Sequence, residues 1–215
     1  MDTDFIRITN SVQDFGRLIP ISEFQDQTKL ESIIKESPDT DWYSSLFTFP
    51  KEAKEYFNKN DNSIKGYNGR ASTSKLVFDF DSKVDLDIAK KDAISLLQEF
   101  QKQQINVAES VRTYFSSSKG FHVELYTTKT FTPEECKELS THLKKILRLT
   151  TLDTVIYNTT RLYRINNTKN PKSGLYKIEV GPDDLVEKSI EQIKELAKSP
   201  VTSNFIVKAT DKLDF

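Results

Sequence analysis

A single cysteine, Cys136, stands among the 215 residues of the chain. One thiol can build neither an intramolecular disulfide nor a cysteine-rich structural zinc site. No apolar run approaches the ~18 residues that a membrane-spanning helix needs, and no charged, then apolar, then small-residue leader stands at the N-terminus. These absences make a soluble protein the expectation, cytoplasmic or inside a host cell, with no membrane partner. The Asn-X-Thr sequons at Asn158 and Asn166 are then expected to go unused. Internal repeats are absent as well. So is a basic excess: 31 Lys and Arg against 32 Asp and Glu give a net charge of −1, which counts against a broad phosphate-binding surface and leaves only local basic clusters. What is present is a globular composition, 36% hydrophobic and 29% charged, with a length near the upper end of one domain or fit for two small modules sharing a cleft.

Three apolar segments rich in β-formers, Lys75 to Phe80, Ser110 to Phe115 and Phe121 to Tyr126, read as buried strands. Between the first two, apolar residues from Leu86 to Phe100 recur at a spacing close to 3.6, which predicts an amphipathic helix over Val84 to Gln104. Ser117 to Gly120 is long enough only for a tight connection, so the second and third strands form a hairpin. Pro133 opens a second helix to about Leu149, a last strand spans Leu175 to Val180, and a further helix runs from Asp183 to about Lys198. The order β-α-β-β-α-β predicts a split sheet covered by helices. Residues 1–74 differ: Phe5, Ile6, Phe15, Leu18, Ile19, Ile21, Phe24, Trp42, Tyr43, Phe47 and Phe49 follow no clean period, and a separate, mainly helical module is expected there.

Leu76-Val77-Phe78-Asp79-Phe80-Asp81 is an apolar strand whose last residues put two carboxylates on one face. Such a pair can share hard divalent cations, which take oxygen ligands and offset the mutual repulsion. The same segment fits a haloacid dehalogenase-type phosphatase with Asp79 as nucleophile, although Ser82-Lys83 stands where those proteins usually carry Gly-Thr. Gly181-Pro182-Asp183-Asp184 could imitate their late acidic motif, but Asp183 and Asp184 are explained more simply as first-turn acids favoured by a helix dipole. Ser116-Ser117-Ser118-Lys119-Gly120-Phe121-His122 is a hydroxyl and lysine loop entering a strand, suited to a triphosphate. Asp153 is followed by Arg161-Leu162-Tyr163-Arg164 and by Lys172-Ser173-Gly174-Leu175, and the two arginines present forked donors.

Taken in order, Asp79-Phe80-Asp81, Gly120-Phe121-His122 and Leu152-Asp153 resemble the three motifs of the archaeo-eukaryotic primase superfamily: an Asp-X-Asp strand, a small-X-His strand and a third acid after a hydrophobic residue. The likeness covers about Lys75 to Val180. It extends through Arg161-Leu162-Tyr163-Arg164 and Lys172-Ser173-Gly174-Leu175 to archaeal small-subunit primases and eukaryotic primase-polymerases. Two departures stand out: the Cys/His set of a zinc module and a helicase segment with a phosphate loop are both missing, so priming is expected to draw on a separate replicative helicase or a C-terminal priming domain. The resemblance implies an α+β fold with an N-terminal αβ module (1–74, template side) packed on an RRM-like split sheet (75–215), the active cleft between them. It implies template-directed DNA or RNA synthesis by two-metal nucleotidyl transfer, with Asp79, Asp81 and Asp153 holding two Mg²⁺ or Mn²⁺ ions. Ser118, Lys119, His122, Arg161, Arg164 and Lys172 would bind the nucleoside triphosphate. A single-stranded DNA template and a primer would be the other partners, with Tyr67, Arg70, Trp42 and Tyr43 as template contacts and a virus or plasmid as a fitting source for so compact a core. A non-catalytic RRM-like module binding single strands is the remaining alternative; it would bind without regard to divalent metal.

Overall fold

The computed structural model describes residues 4–11, 16–38, 40–202 and 207–213; Phe15 lies outside them. The N-terminal part carries β1 (Phe5–Thr9), β2 (Arg17–Pro20), α1 (Ile21–Gln25), α2 (Gln27–Ile34), β3 (Tyr43–Phe49) and α3 (Lys51–Lys59). The central part carries β4 (Thr73–Asp81), α4 (Leu86–Lys102), α5 (Val107–Ser110), β5 (Val111–Phe115), β6 (Gly120–Phe131) and α6 (Pro133–Leu147). The last part carries β7 (Leu152–Asp153), β8 (Leu162–Arg164), β9 (Ile178–Glu179), α7 (Pro182–Glu187) and α8 (Ile190–Leu196). The strands form two antiparallel sheets, one in the order β2-β1-β3-β8 and the other in the order β7-β4-β6-β5-β9.

Three strands lie in residues 1–74, where a mainly helical segment is expected from the sequence. The reason is burial on both faces. Ile6, Ile8, Ile19 and Trp42 pack beneath Phe24, Leu30 and Ile34 of α1 and α2, while Phe5, Leu18, Phe47 and Phe49 join the main core on the other side. A doubly buried strand loses the polar alternation that identifies it. Trp42 itself is 4% exposed, and its indole N–H donates to the Ser37 carbonyl at 3.1 Å, so it offers no stacking face to a template.

In the larger sheet the expected β-α-β-β-α-β order holds, with one correction. Its last strand is β7, only two residues long, which pairs with β4; the segment from Leu175 to Val180 instead contributes β9 on the opposite edge, beside β5. A two-residue strand has no period to read. The helix expected from Asp183 to Lys198 is likewise two helices. Lys188 is extended, and Ser189 restarts the helix through a capping box with Gln192. The helix from Pro133 forms as expected, with Thr132 and Glu135 completing its own capping box.

The pleat of β4 divides the molecule chemically. Leu76, Phe78 and Phe80 face the helices with Leu96, Phe100, Val123 and Leu125 in the main core. The other face brings charged and tyrosine side chains together by register: Asp79 opposite Asp153 and His122, Asp81 opposite Gly120, and His122 opposite Tyr114. The β5–β6 hairpin turns at Ser117, in the left-handed region at φ 69°. Gly120 then passes so close to β4 that a Cβ would lie 1.8 Å from the Phe80 carbonyl oxygen. Gly120→Ala is therefore expected to part β4 from β6 and cost about 1–3 kcal/mol, as overpacking does, measured as a lowered midpoint in urea unfolding.

Candidate active site

The acids stand where strands end. Asp79 and Asp81 close β4, and Asp153 closes β7 beside them, so three carboxylates gather on one face through register alone. Each meets a different base. Lys119 Nζ lies 2.6 Å from Asp81 Oδ2, His122 Nε2 lies 3.3 Å from Asp79 Oδ1, and Arg161 lies 3.7 Å from Asp153 Oδ2. The acids and three of the basic groups singled out in the sequence thus converge. A cavity of about 370 Å³ is lined by Asp79, Asp81, Ser118, Lys119, His122, Arg161, Arg164 and Lys172. Asp153 does not line it and approaches from the edge, its Oδ1 accepting from the Val155 backbone N–H at 2.8 Å.

Asp79 is 8% exposed. Burial pushes its carboxyl up, but His122, Arg161 and Lys177 outweigh burial and hold it below the usual carboxylate range. His122 is held below its usual value, first by burial and then by the Lys177 charge, so its imidazole is neutral at neutral pH despite Asp79. The hydrogen bond to Asp81 raises Lys119.

Three elements fix this arrangement. The polar turn is closed by the Ser116 backbone N–H donating to the Gly120 carbonyl at 3.0 Å and by the Gly120 N–H donating to Ser116 Oγ at 3.1 Å. Ser173 Oγ donates to the Ser117 carbonyl at 2.6 Å, which ties the Lys172-Ser173-Gly174 loop to the Ser-Lys loop. Asp92 on α4 receives the backbone N–H and hydroxyl of Thr151, both at 2.8 Å, and so holds the approach to β7.

Several members of the site were not singled out in the sequence. Asp41 pairs with Arg164 and accepts from Tyr43 Oη at 2.8 Å, so Arg164 lines the cavity already engaged by an acid. Its guanidinium also lies over the Tyr43 ring, 5.0 Å from the centroid. Tyr163 packs against His122 with ring centroids 4.7 Å apart and the rings tilted by 39°. Beneath them lie Glu124 and Lys177, 1% and 0% exposed. Of the four residues proposed for template contact, Tyr43 lines the cavity; Arg70 pairs with Asp4 at 2.8 Å and Tyr67 packs on Phe49 and Tyr56. A second cavity of about 630 Å³ shares Tyr163 and Arg164 with the first and continues along Tyr114, Glu124 and Tyr126.

The donor chemistry fits a hard divalent ion. All three acids offer oxygen only, and Asp79 Oδ1 is buried without a hydrogen-bond partner. Among the described residues, however, no three His, Cys, Asp or Glu side chains are gathered as a ready-made metal cluster, since each carboxylate is turned to its own base. Asp79 and Asp81 have the better claim on an ion; Asp153 would join by turning from Arg161.

No family model matches the sequence, and no curated protein matches it. Among solved structures, the polymerase domain of Mycobacterium tuberculosis ligase D, in complex with DNA, superposes with a TM-score of 0.57 at 11% identity, over 90% of this chain and 78% of that one. The AEP domain of the cyanophage S-2L primase-polymerase gives a TM-score of 0.45 at 11% identity over 86% and 88% of the two chains. The catalytic domain of primase RepB′ with initiator DNA gives 0.41 at 12% identity over 86% and 85%. The chain thus shares its fold with the polymerase domain of ligase D.

Glu124 yields a pH prediction. Burial raises its carboxyl, but Lys75 at 3.2 Å, Lys177 and the tyrosines bring it down to about 2, below the usual 4.5. A depressed value means that the ionised form stabilises the fold above about pH 4.5 and that this contribution fades as pH falls toward 2. Glu124→Gln is expected to flatten the acid limb of stability between about pH 5 and about pH 3, measured by urea unfolding at both.

Proposed function

We propose that the protein is a nucleotidyltransferase of the primase-polymerase kind, which joins nucleoside triphosphates to a growing strand on a single-stranded DNA template. The observation that carries this reading is the convergence on one sheet face of Asp79, Asp81 and Asp153 with Lys119, His122 and Arg161, on a fold shared with a polymerase domain. The strand order β7-β4-β6-β5 supports the RRM-like reading of the larger sheet, with residues 1–74 as the module across the cleft.

Asp79 and Asp81, with Asp153 beside them, would hold Mg²⁺ or Mn²⁺. Bound there, the ions would lower the pKa of a primer 3′-hydroxyl and stabilise the leaving pyrophosphate. The protein's own groups do the rest. Lys119 and Arg161 are about half exposed, so both can swing from their carboxylates onto an incoming triphosphate. Ser118 and Lys172 flank the same cavity and add a hydroxyl and a cation. His122, neutral and buried, offers a hydrogen bond rather than a charge, and Arg164 acts from its seat on Asp41 and Tyr43. Charge developing on the phosphates is thus met by donors set in advance. Tyr43 is the residue of the N-terminal side best situated to meet template or primer.

The phosphatase reading loses its second motif: Asp183 and Asp184 occupy the first turn of α7, which packs on α4 and β5, and neither lines the cavity. A metal-indifferent binding module would leave three carboxylates facing a phosphate backbone, which they repel. Primer extension on a single-stranded template with Mg²⁺ or Mn²⁺ is expected to give labelled product. Asp79→Ala and Asp81→Ala should each lower it by roughly 100-fold or more, the scale on which one transition-state contact is lost. Undiminished synthesis by either folded variant would sink this function.

A further inference from the structure

Lys177 does not line the candidate cavity, yet it is the most deeply buried basic group of the polar face. Its side chain is fully enclosed, and Nζ donates to the Arg164 carbonyl at 2.9 Å. Nζ also lies over the Tyr163 ring, 3.7 Å from its centroid, and 4.8 Å from the centroid of the Tyr114 ring. Its backbone is anchored as well: the N–H donates to the Thr168 carbonyl at 3.1 Å, and its own carbonyl accepts from the Asn167 N–H at 2.7 Å. Burial holds the Lys177 amine well below the usual lysine range, against the pull of Glu124, and a polar group shut off from water needs such partners.

Tyr163 also meets the candidate site: its ring packs against His122 at a tilt of 39°, centroids 4.7 Å apart, and His122 faces Asp79. Lys177, Tyr163, His122 and Asp79 therefore form a chain of successive contacts that ends at the candidate catalytic acid. The hydrogen bond to Arg164 fixes the backbone of β8, from which Tyr163 projects.

We infer that Lys177 is a positioning residue: by clamping β8 and the Tyr163 ring, it holds the His122 imidazole in place against Asp79. Its own amine lines neither cavity. A lysine at this position does what an apolar side chain cannot, because its amine gives a directed bond to the Arg164 carbonyl while resting against the Tyr163 ring. The kinetic consequence rests on the nucleotidyl-transfer reading, whereas the placement of His122 does not.

The sequence contains two histidines, His122 and the exposed His142 on α6, which makes a direct test practical. In protein labelled with ¹³C at the histidine ring, Lys177→Met is expected to shift or split the His122 signal and leave His142 unmoved. Tyr163→Leu should do the same, while Tyr163→Phe, which keeps the ring, should leave His122 in place. In primer extension, Lys177→Met should raise KM for the nucleotide about 10-fold, on the scale of second-layer ligand supports, with a smaller fall in kcat. An unmoved His122 signal in folded Lys177→Met overturns the inference whatever the activity. If that variant does not fold, an unmoved signal in Tyr163→Leu overturns it instead. Wild-type protein without polymerase activity would refute the proposed function while the two histidine signals still decide the role of Lys177.

Discussion

Asp79 and Asp153 face each other across the β4–β7 pair, and Asp81 follows one pleat along. Three like charges brought this close repel one another, and in a half-enclosed cleft water screens them poorly. Much of the polar architecture answers that repulsion. Lys119 reaches over from the hairpin turn and Arg161 arrives from the loop before β8, while His122 on the neighbouring strand approaches Asp79 as a neutral ring. Farther from the acids, Arg164 is paired with Asp41, and Lys177 sits close to Glu124 with its amine held by burial well below its usual range. A chain with almost balanced total charge thus keeps a strongly partitioned interior.

The opposite face makes this possible. Phe78, Phe80, Phe100, Phe115 and Phe121 are almost fully enclosed, and α4 and α6 cover the sheet behind the acids. Close-packed aromatic and aliphatic side chains hold strands at fixed spacing. The carboxylates therefore sit on a rigid support, and the mobile groups are the exposed cations that answer them. Rigidity under the acids and freedom above them suit a site that must first admit a highly charged ligand and then grip it.

Much of this was legible in residue order. Strand β4 announces itself because its apolar positions alternate with its acids, and the Ser-Lys loop because it is too short for anything but a turn. Lys119, His122 and Arg161 were found from chemistry and from the resemblance, and all three come to the acids. Other parts were hidden for definite reasons. Strand β7 is two residues long and exists through its pairing with β4, which no local pattern records. The strands of the N-terminal sheet bury both faces and so show no alternation. Trp42 reads as a stacking platform until the fold closes over it. Lys177 reads as a surface lysine, although the alternation of Lys177 and Glu179 with Ile178 and Val180 carries a signal: in a strand of that register, the lysine falls on the polar side. Asp41 carries no signal at all, since its meaning depends on Arg164 more than a hundred residues away.

The shortness of β7 has a mechanical meaning. Asp79 and Asp81 belong to a strand hydrogen-bonded on both sides, but Asp153 hangs from two residues of pairing and from what precedes them. Helix α6 ends at Arg148 in a left-handed cap, and the next threonines are tethered to Asp92 on α4. Lys144 adds a bond from α6 to the Leu152 carbonyl. The third carboxylate is therefore carried by the helical layer as much as by the sheet. Two of the acids are bolted to the chassis and the third rides on an arm, so that small displacements of α4 or α6, far from any substrate, would open or close the acid triangle.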